Sequence, residues 1–502
     1  MAFRYSSNSG EYKSQSDPNC KRTLKIFLMN KTRATIVFSF IMVLGFASTF
    51  LSSCKKKTIE GTIIFTRTAG KAGSSDSLSP DLQKNMLRSE IVEMKPGQSP
   101  KVLTASFYSA RSPEISDDGQ TMIFAALKAD GDAWQIWETD LIGLKTRQLT
   151  NIKGDCTDPA YLPVGRFLFT CHSVADSLKS TESIYTSNID GTDMKRITYA
   201  PYAFTSTCVL SDGRILTIGI QKYPESGAEK YLVMRPDGTK SELFYTGQEG
   251  SHYTGPGHET KDGSIIFIEA KKSNKEGGNL ISVSYNRPMH TRKNLSAVTE
   301  GDFRAVFPEP SGKLLVSYRK TASERYSLYE FDPENNSLVK PLYSSNDFDV
   351  TEVADVVLHD RARRLPSEVN PALKTGLIMC QDVNLDPDPI MSTGIPLARI
   401  RAMEIMGVDS SMGVFKPSKD GSFYLKVAAN KPFQIRSLDE NGKIIRQCDW
   451  IWLRNNERRG CVGCHEDQDI VPDNRIPYAV KKAPIGIPVH VNKIKDIMID
   501  TE

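Results

Sequence analysis

The sequence predicts an all-β chain: a six-bladed β-propeller, then a small β-sandwich-like domain, then a short C-terminal segment. Three observations carry this. A unit of nearly 50 residues recurs between residues 61 and 365, a second alternating apolar region follows a linker, and a cysteine motif sits shortly after that region.

The recurring units are "PEISDDGQTMIFAA" at 113, "PAYLPVGRFLFTCH" at 159, "CVLSDGRILTIGI" at 208, "HETKDGSIIFIEA" at 258 and "PEPSGKLLVSYRK" at 308. Their turn glycines, Gly119, Gly165, Gly213, Gly263 and Gly312, are spaced by 46, 48, 50 and 49 residues. Glycine fits because a tight hairpin between alternating strands needs positive φ. Most units continue into a second hairpin, as in "ESIYTSNIDGTDMKRIT". Four short strands per period mark a propeller blade, and the wording resembles the repeats of TolB-type propellers. "GTIIFTRTAG" at 61 reads as a second strand without a first, and "TEVADVVLHD" at 351 as a lone last strand. Pairing the two builds one blade from both ends, removes a raw edge and gives six blades with the five complete units.

The order of segments before the propeller is that of an export signal. In "MNKTRATIVFSFIMVLGFASTFLSSC", residues 29–54, Lys31 and Arg33 flank an apolar run that closes on small residues and Cys54. Such an order is secretory, and its ending resembles the lipobox of bacterial lipoproteins, in which Cys54 would be lipidated. A plain membrane anchor is the competing reading, since about 18 apolar residues span a bilayer. Residues 1–28 read as an over-extended start before Met29. Residues 1–54 hold 7 of the 64 Lys+Arg and 2 of the 60 Asp+Glu, leaving 57 against 58 in the remainder. The apparent basicity therefore belongs to the leader, and no basic surface points to nucleic acid. Residues 55–60 are a solvated tether. The chain is expected to be exported and bacterial, anchored by lipid to a membrane on its periplasmic side or at the cell surface.

After the Pro- and Arg-bearing linker 366–374, residues 375–452 alternate as strands do in "GLIMCQDV", "LARIRAMEI" and "GSFYLKVAA". "PFQIRSLDENGKIIRQC" is a hairpin turning at Asn441-Gly442. Four to six such strands make a small sandwich or half-barrel. "WIWLRNNERRG" then leads into Cys461, Cys464 and His465 at the head of the segment 453–502.

Cys-x-x-Cys-His supplies two thiols for the vinyl groups of a haem and a histidine for the iron from the same side. Zinc would need a second ligand pair, and Cys448 lies 13 residues upstream without a partner of that spacing. A redox dithiol would sit in an α/β unit, which this chain lacks in sequence. Export favours covalent haem, and one haem c is expected at Cys461 and Cys464, with His465 on the iron. The 37 residues beyond His465 are too few for the helices of a free-standing cytochrome. Cover must come from the middle domain, the propeller or a partner, with Trp450, Trp452, Ile470, Val471 and Tyr478 as candidates. Arg458 and Arg459 are candidates for pairing the propionates. His490 is the first choice for the distal ligand and Met498 the second, with an open sixth position as the alternative.

An exported propeller, a β middle domain and "WIWLRNNERRGCVGCHED" together resemble the hydrazine synthase α-subunit-related proteins, over nearly the whole chain after the leader. "KDGSFYLKV", 419–427, and "RRGCVGCHED", 458–467, are the most specific stretches. The resemblance implies a propeller, a middle domain and c-type haem, with Cys461, Cys464 and His465 as the matching haem residues. It departs in having one such motif where the α subunit has two, and Asp469 where a tyrosine accompanies the catalytic haem.

Other residues invite chemistry. "GSHYTGPGHET" holds His252, Tyr253, His258 and Glu259, either a metal cluster or an ordinary loop. Cys156 and Cys171 flank a hairpin and need a bulge to meet, while Cys380 and Cys448 lie on early and late strands of the middle domain. No Gly-x-Ser-x-Gly elbow suggests a hydrolase. The leading expectation is a membrane-tethered monohaem protein in electron transfer, with a redox partner protein, or in small-molecule redox enzymology. The alternative is a surface lipoprotein whose propeller binds a ligand, with an accessory haem or metal site.

Overall fold

The computed structural model describes residues 61–70, 88–95, 97–172, 182–271, 276–385, 400–463 and 474–488. The leader, the tether and Cys54 lie outside these, as do Cys464, His465, Asp469, Ile470, Val471, His490 and Met498. The chain from Thr58 onward forms one compact unit.

Five sheets are built from consecutive strands and a sixth from both ends of the repeat region. In the sixth, Phe348–Asp355 pairs antiparallel with Ile63–Ala69, followed outward by Ser89–Met94 and Lys101–Val102. Ring closure through this composite blade, and six blades in all among the described residues, follow the repeat reading. The closing strand touches the inner strands on either side, Ser109–Ile115 and Asp302–Pro308, which completes the ring. Each blade's second strand is an almost continuous apolar run, such as Thr121–Leu127 or Arg166–His172, because both of its faces are covered by neighbouring blades.

The inner strands carry a shared irregularity. Their register slips between Arg111 and Glu114, between Thr157 and Ala160, and between Thr205 and Cys208. Ser112, Asp158 and Ser206 take positive φ at these bulges, which bend the strand and re-aim its groups. The released groups tie blades together around the central channel. The Ser112 amide donates to Glu352 at 2.7 Å, Thr205 donates to the Asp158 carboxylate at 3.0 Å, and Thr207 donates to the Asp158 carbonyl at 2.6 Å.

The middle domain comprises two four-stranded sheets. One holds Ser411–Phe415, Ala402–Gly407, Phe433–Leu438 and Ile444–Gln447. The other holds Arg458–Cys461, Thr375–Cys380, Phe423–Ala428 and Ile485–Gly486. Ile378, Leu425 and Val427 of one meet Met403, Ile405 and Phe433 of the other in a single core, which makes the domain a sandwich. Two of its eight strands come from beyond residue 452, and both pair in parallel with strands far back in the chain.

Glu114, Asp158, His258, Arg304 and Glu352 line the channel. Burial pushes the Glu114 carboxyl from its usual 4.5 up to about 8 and lowers His258 to about 4. The folded chain thus holds Glu114 neutral at a pH where the unfolded chain ionises it. Stability from this group is complete below 4.5 and is lost as pH rises toward 8. Glu114→Gln, neutral throughout, should therefore match the parent's melting temperature at pH 4.5 and exceed it by a few degrees at pH 8. Equal melting at both pH values in a thermal scan would contradict this.

Candidate functional site

The segment that delivers Cys461 is wedged between the propeller and the sandwich. Trp450 and Trp452 are buried in a core cluster of the second and third complete blades, against Ile184, Tyr202, Phe204 and Met234. The Trp452 indole donates to the Gly238 carbonyl at 3.2 Å, and the Arg454 guanidinium donates to the Asp237 carbonyl at 2.9 Å. Both carbonyls belong to one propeller hairpin turn, where Gly238 has φ +78°. A Cβ there would lie 2.0 Å from the Ile197 carbonyl oxygen, so only glycine fits this turn. The linker is pinned to the same turn: Ser367 and the Glu368 amide donate to Asp237 at 2.9 and 2.8 Å.

Glu457, fully buried, is the hub. One of its carboxylate oxygens accepts from the Lys240 amide at 2.9 Å and from Arg459 at 2.8 Å, and the other accepts from the Arg454 amide at 2.7 Å. Arg459 also donates to the Ser241 carbonyl at 3.1 Å. From this anchor Arg458–Cys461 runs parallel to Thr375–Cys380, with Cys461 opposite Cys380.

A cavity of about 310 Å³ opens beside the strand. Met403, Phe423, Ile435 and Ile451 give it apolar walls, and Lys240, Arg446 and Arg459 add three cations. Cys380, Cys448, Cys461 and Gly463 are also in the lining, and Glu242 adds one anion to it. Apolar walls, a thiol in the wall and basic side chains at the rim are residue types that a covalently held haem uses, although Arg459 is already paired with Glu457. Among the described residues no three His, Cys, Asp or Glu side chains are grouped to hold a metal ion.

Beyond the motif the chain is tied back to the sandwich. Arg475 donates to the Asp420 carboxylate at 3.0 Å, as does the Tyr478 amide at 2.8 Å. The Ala479 amide donates to Ser422 at 3.0 Å. Burial opposes ionisation of Asp420, but hydrogen bonds from Ser422 and the Tyr478 amide outweigh it and hold its carboxyl below the usual range. Gly421 has φ +78°, which disfavours any other residue, and a Cβ there would press on the Asp382 carboxylate at 2.0 Å. "KDGSFYLKV" is thus a brace for the C-terminal return.

The expected site residues fare differently. Cys461 lies in the cavity wall, whereas Cys464, His465 and His490 fall outside the described residues. Trp450 and Trp452 face the propeller and not the cavity, and Tyr478 is 55% exposed. Arg459 lines the cavity, while Arg458 points to solvent. Sequence reading missed the walls Met403, Phe423, Ile435 and Ile451: Met403 and Ile435 are strand residues without a motif, and Phe423 and Ile451 lie in stretches quoted for the family resemblance without being singled out. The loop cluster is dispersed: His252 meets Glu229 at 2.8 Å, Glu259 accepts from Ser211, and His258 faces the channel beside Phe307.

Replacing Glu457 by Ala leaves two buried amides and Arg459 without their acceptor, a loss of about 3–5 kcal/mol for a broken buried charge network. Chemical denaturation followed by Trp fluorescence should show this loss, and limited proteolysis should cut the linker 366–374 faster. An unfolding curve coincident with the parent's would contradict the hub role.

A family profile for the hydrazine synthase alpha subunit middle domain matches residues 391–466. Hydrazine synthase subunit alpha of Kuenenia stuttgartiensis is 22% identical over 498 aligned positions, covering 73% of this chain. The chain spans 61% of that relative's length. The solved hydrazine synthase of the same organism matches with a TM-score of 0.72 at 19% identity, over 84% of this chain and 71% of that one. TolB of Acinetobacter baumannii is more distant, with a TM-score of 0.42 at 17% identity over 59% of this chain and 66% of that one. The chain thus carries a region similar to the hydrazine synthase alpha subunit middle domain behind a six-bladed propeller, in a fold like that of hydrazine synthase.

Proposed function

We propose that the chain is an exported, membrane-tethered protein that holds one haem c, attached at Cys461 and Cys464 with His465 on the iron, for electron transfer or small-molecule redox chemistry. The observation that carries this is the cavity. The strand ending at Cys461 forms one wall of a pocket whose other walls are apolar and whose lining contains three cations. When bound, a haem supplies a one-electron iron couple and, if one axial position is open, a place for a small ligand.

The residues of this chain would do the rest. The buried Glu457 network fixes the strand, so Cys461 is presented from a rigid element. Met403, Phe423, Ile435 and Ile451 would exclude water from the macrocycle's face, which raises the effect of nearby charge. Lys240 and Arg446 would offset the propionates, while Arg459 stays with Glu457. Anchoring through Cys54 would keep this assembly at a membrane surface within reach of a redox partner protein. Hydrazine synthesis is not part of the proposal, because the sequence carries a single Cys-x-x-Cys-His.

The closest competitor is zinc on Cys461 and Cys464; Cys380 and Cys448 share the cavity lining, but among the described residues no three such side chains are grouped to hold a metal ion. A pyridine haemochrome spectrum of chain purified from a host competent in haem attachment separates the two. The expected outcome is a c-type α-band at one haem per chain, lost in Cys461→Ser/Cys464→Ser. Stoichiometric zinc without the band would overturn the proposal. Carbon monoxide added to the reduced chain then tests the distal position: a spectral shift marks an open or weakly held site, and no shift, restored to a shift by His490→Ala, marks His490 as ligand.

A further inference from the structure

Cys156 opens the inner strand Cys156–Leu162 of the second complete blade, and Cys171 lies near the end of its neighbour, Arg166–His172. The bulge at Asp158, with φ +48°, shifts the register so that the two cysteines become direct cross-strand partners. Their position in the ladder is the narrow kind. The His172 amide donates to the Asp155 carbonyl at 3.0 Å, while the Cys156 amide donates away from the pair, to the Trp134 carbonyl at 2.8 Å. Non-hydrogen-bonded pairs of this sort have the shortest Cα separation in an antiparallel sheet, about 4.5 Å, inside the span a disulfide bridges.

The two sulfurs are 3.5 Å apart and both residues are buried. The surroundings hold them there. Gly154 crosses so close that a Cβ would stand 2.2 Å from the His172 carbonyl oxygen and 3.7 Å from the Cys171 sulfur. In the next rung Thr157 and Thr170 join by a hydroxyl hydrogen bond of 2.9 Å. Cys208 is engaged elsewhere, donating to the Gly257 carbonyl at 2.9 Å.

We propose that Cys156 and Cys171 form a cross-strand disulfide that staples the second complete blade. It rests on the exported location proposed above, because a disulfide-bearing oxidant is needed. The two thiols give up two protons and two electrons, one S–S bond forms between them, and the oxidant's S–S bond is broken to two thiols. Burial pushes the Cys156 thiol well above its usual range, so the folded blade offers little thiolate for exchange. The bond therefore forms while the hairpin is still open. Its cysteines are only 15 residues apart, close enough to meet before the blades pack. Pairing them also removes two competitors for Cys461 and Cys464, which must remain reduced until haem is attached.

The test is peptide mapping of the full chain purified after export, alkylated in denaturant without reduction. The expected result is a linked peptide joining Cys156 to Cys171, two hydrogens lighter than its parts. Reduction should then lower the melting temperature by a few degrees, and Cys156→Ala/Cys171→Ala should remove that sensitivity. As a control, chain made in a reducing cytoplasm is unfolded and refolded in a glutathione redox buffer. A bond formed there but absent from the exported material supports the pairing and counts against export. Both cysteines alkylated in both preparations, or either linked to another cysteine, overturns the inference.

Discussion

The strand that ends at Cys461 depends on one buried carboxylate. Glu457 accepts an amide from the propeller, an amide from its own turn and the guanidinium of Arg459. A charge so placed is costly to bury and is tolerated because its oxygens meet donors held by three parts of the fold. The consequence is positional. Strand Arg458–Cys461 cannot shift along Thr375–Cys380 without breaking contacts to the propeller, so the cavity wall and the propeller turn at Gly238 are one rigid assembly. A chelating or prosthetic site gains from such pre-organisation, because its ligands need not be ordered at the moment of binding.

Division of labour follows from this anchor. The propeller supplies a closed, edge-free platform, and its third complete blade offers the turn on which Trp452, Arg454 and Glu457 dock. The sandwich supplies apolar walls from both of its sheets. Asp420 and Ser422 then gather the chain on its way back from the motif, so that the segment is held on both flanks: before it by Glu457 and after it by Arg475 and Tyr478. The two stretches that carry the family likeness, "KDGSFYLKV" and "RRGCVGCHED", are the two ends of this clamp.

Much of the fold was legible because propeller blades are local. The first hairpin of each complete blade turns at a glycine with positive φ, such as Gly213, whose Cβ would otherwise strike the Arg363 carbonyl oxygen, and ring closure followed from two orphan strands. What was not legible was non-local. The parallel pairing of Arg458–Cys461 with Thr375–Cys380 has no turn to announce it, so the cavity walls Met403, Phe423, Ile435 and Ile451 could not be assembled from sequence. Trp450 and Trp452 were expected over the haem, but side-chain alternation alone does not say which neighbour a face will meet, and they face the propeller. The bulge at Asp158 likewise has no sequence signature beyond an aspartate's tolerance of positive φ. His252, His258 and Glu259 are near in sequence yet part company because two short strand segments carry them to different surroundings.

The central claim is that a strand fixed by Glu457 presents Cys461 to a cavity built for a covalently bound macrocycle. Its most direct test is the mass of the proteolytic peptide spanning Cys461 to His465, released from denatured protein made in a host that attaches haem. The account predicts that peptide in a single form, carrying a porphyrin through both sulfurs. The same peptide recovered with two unmodified thiols, or with its sulfurs joined to each other, would contradict it.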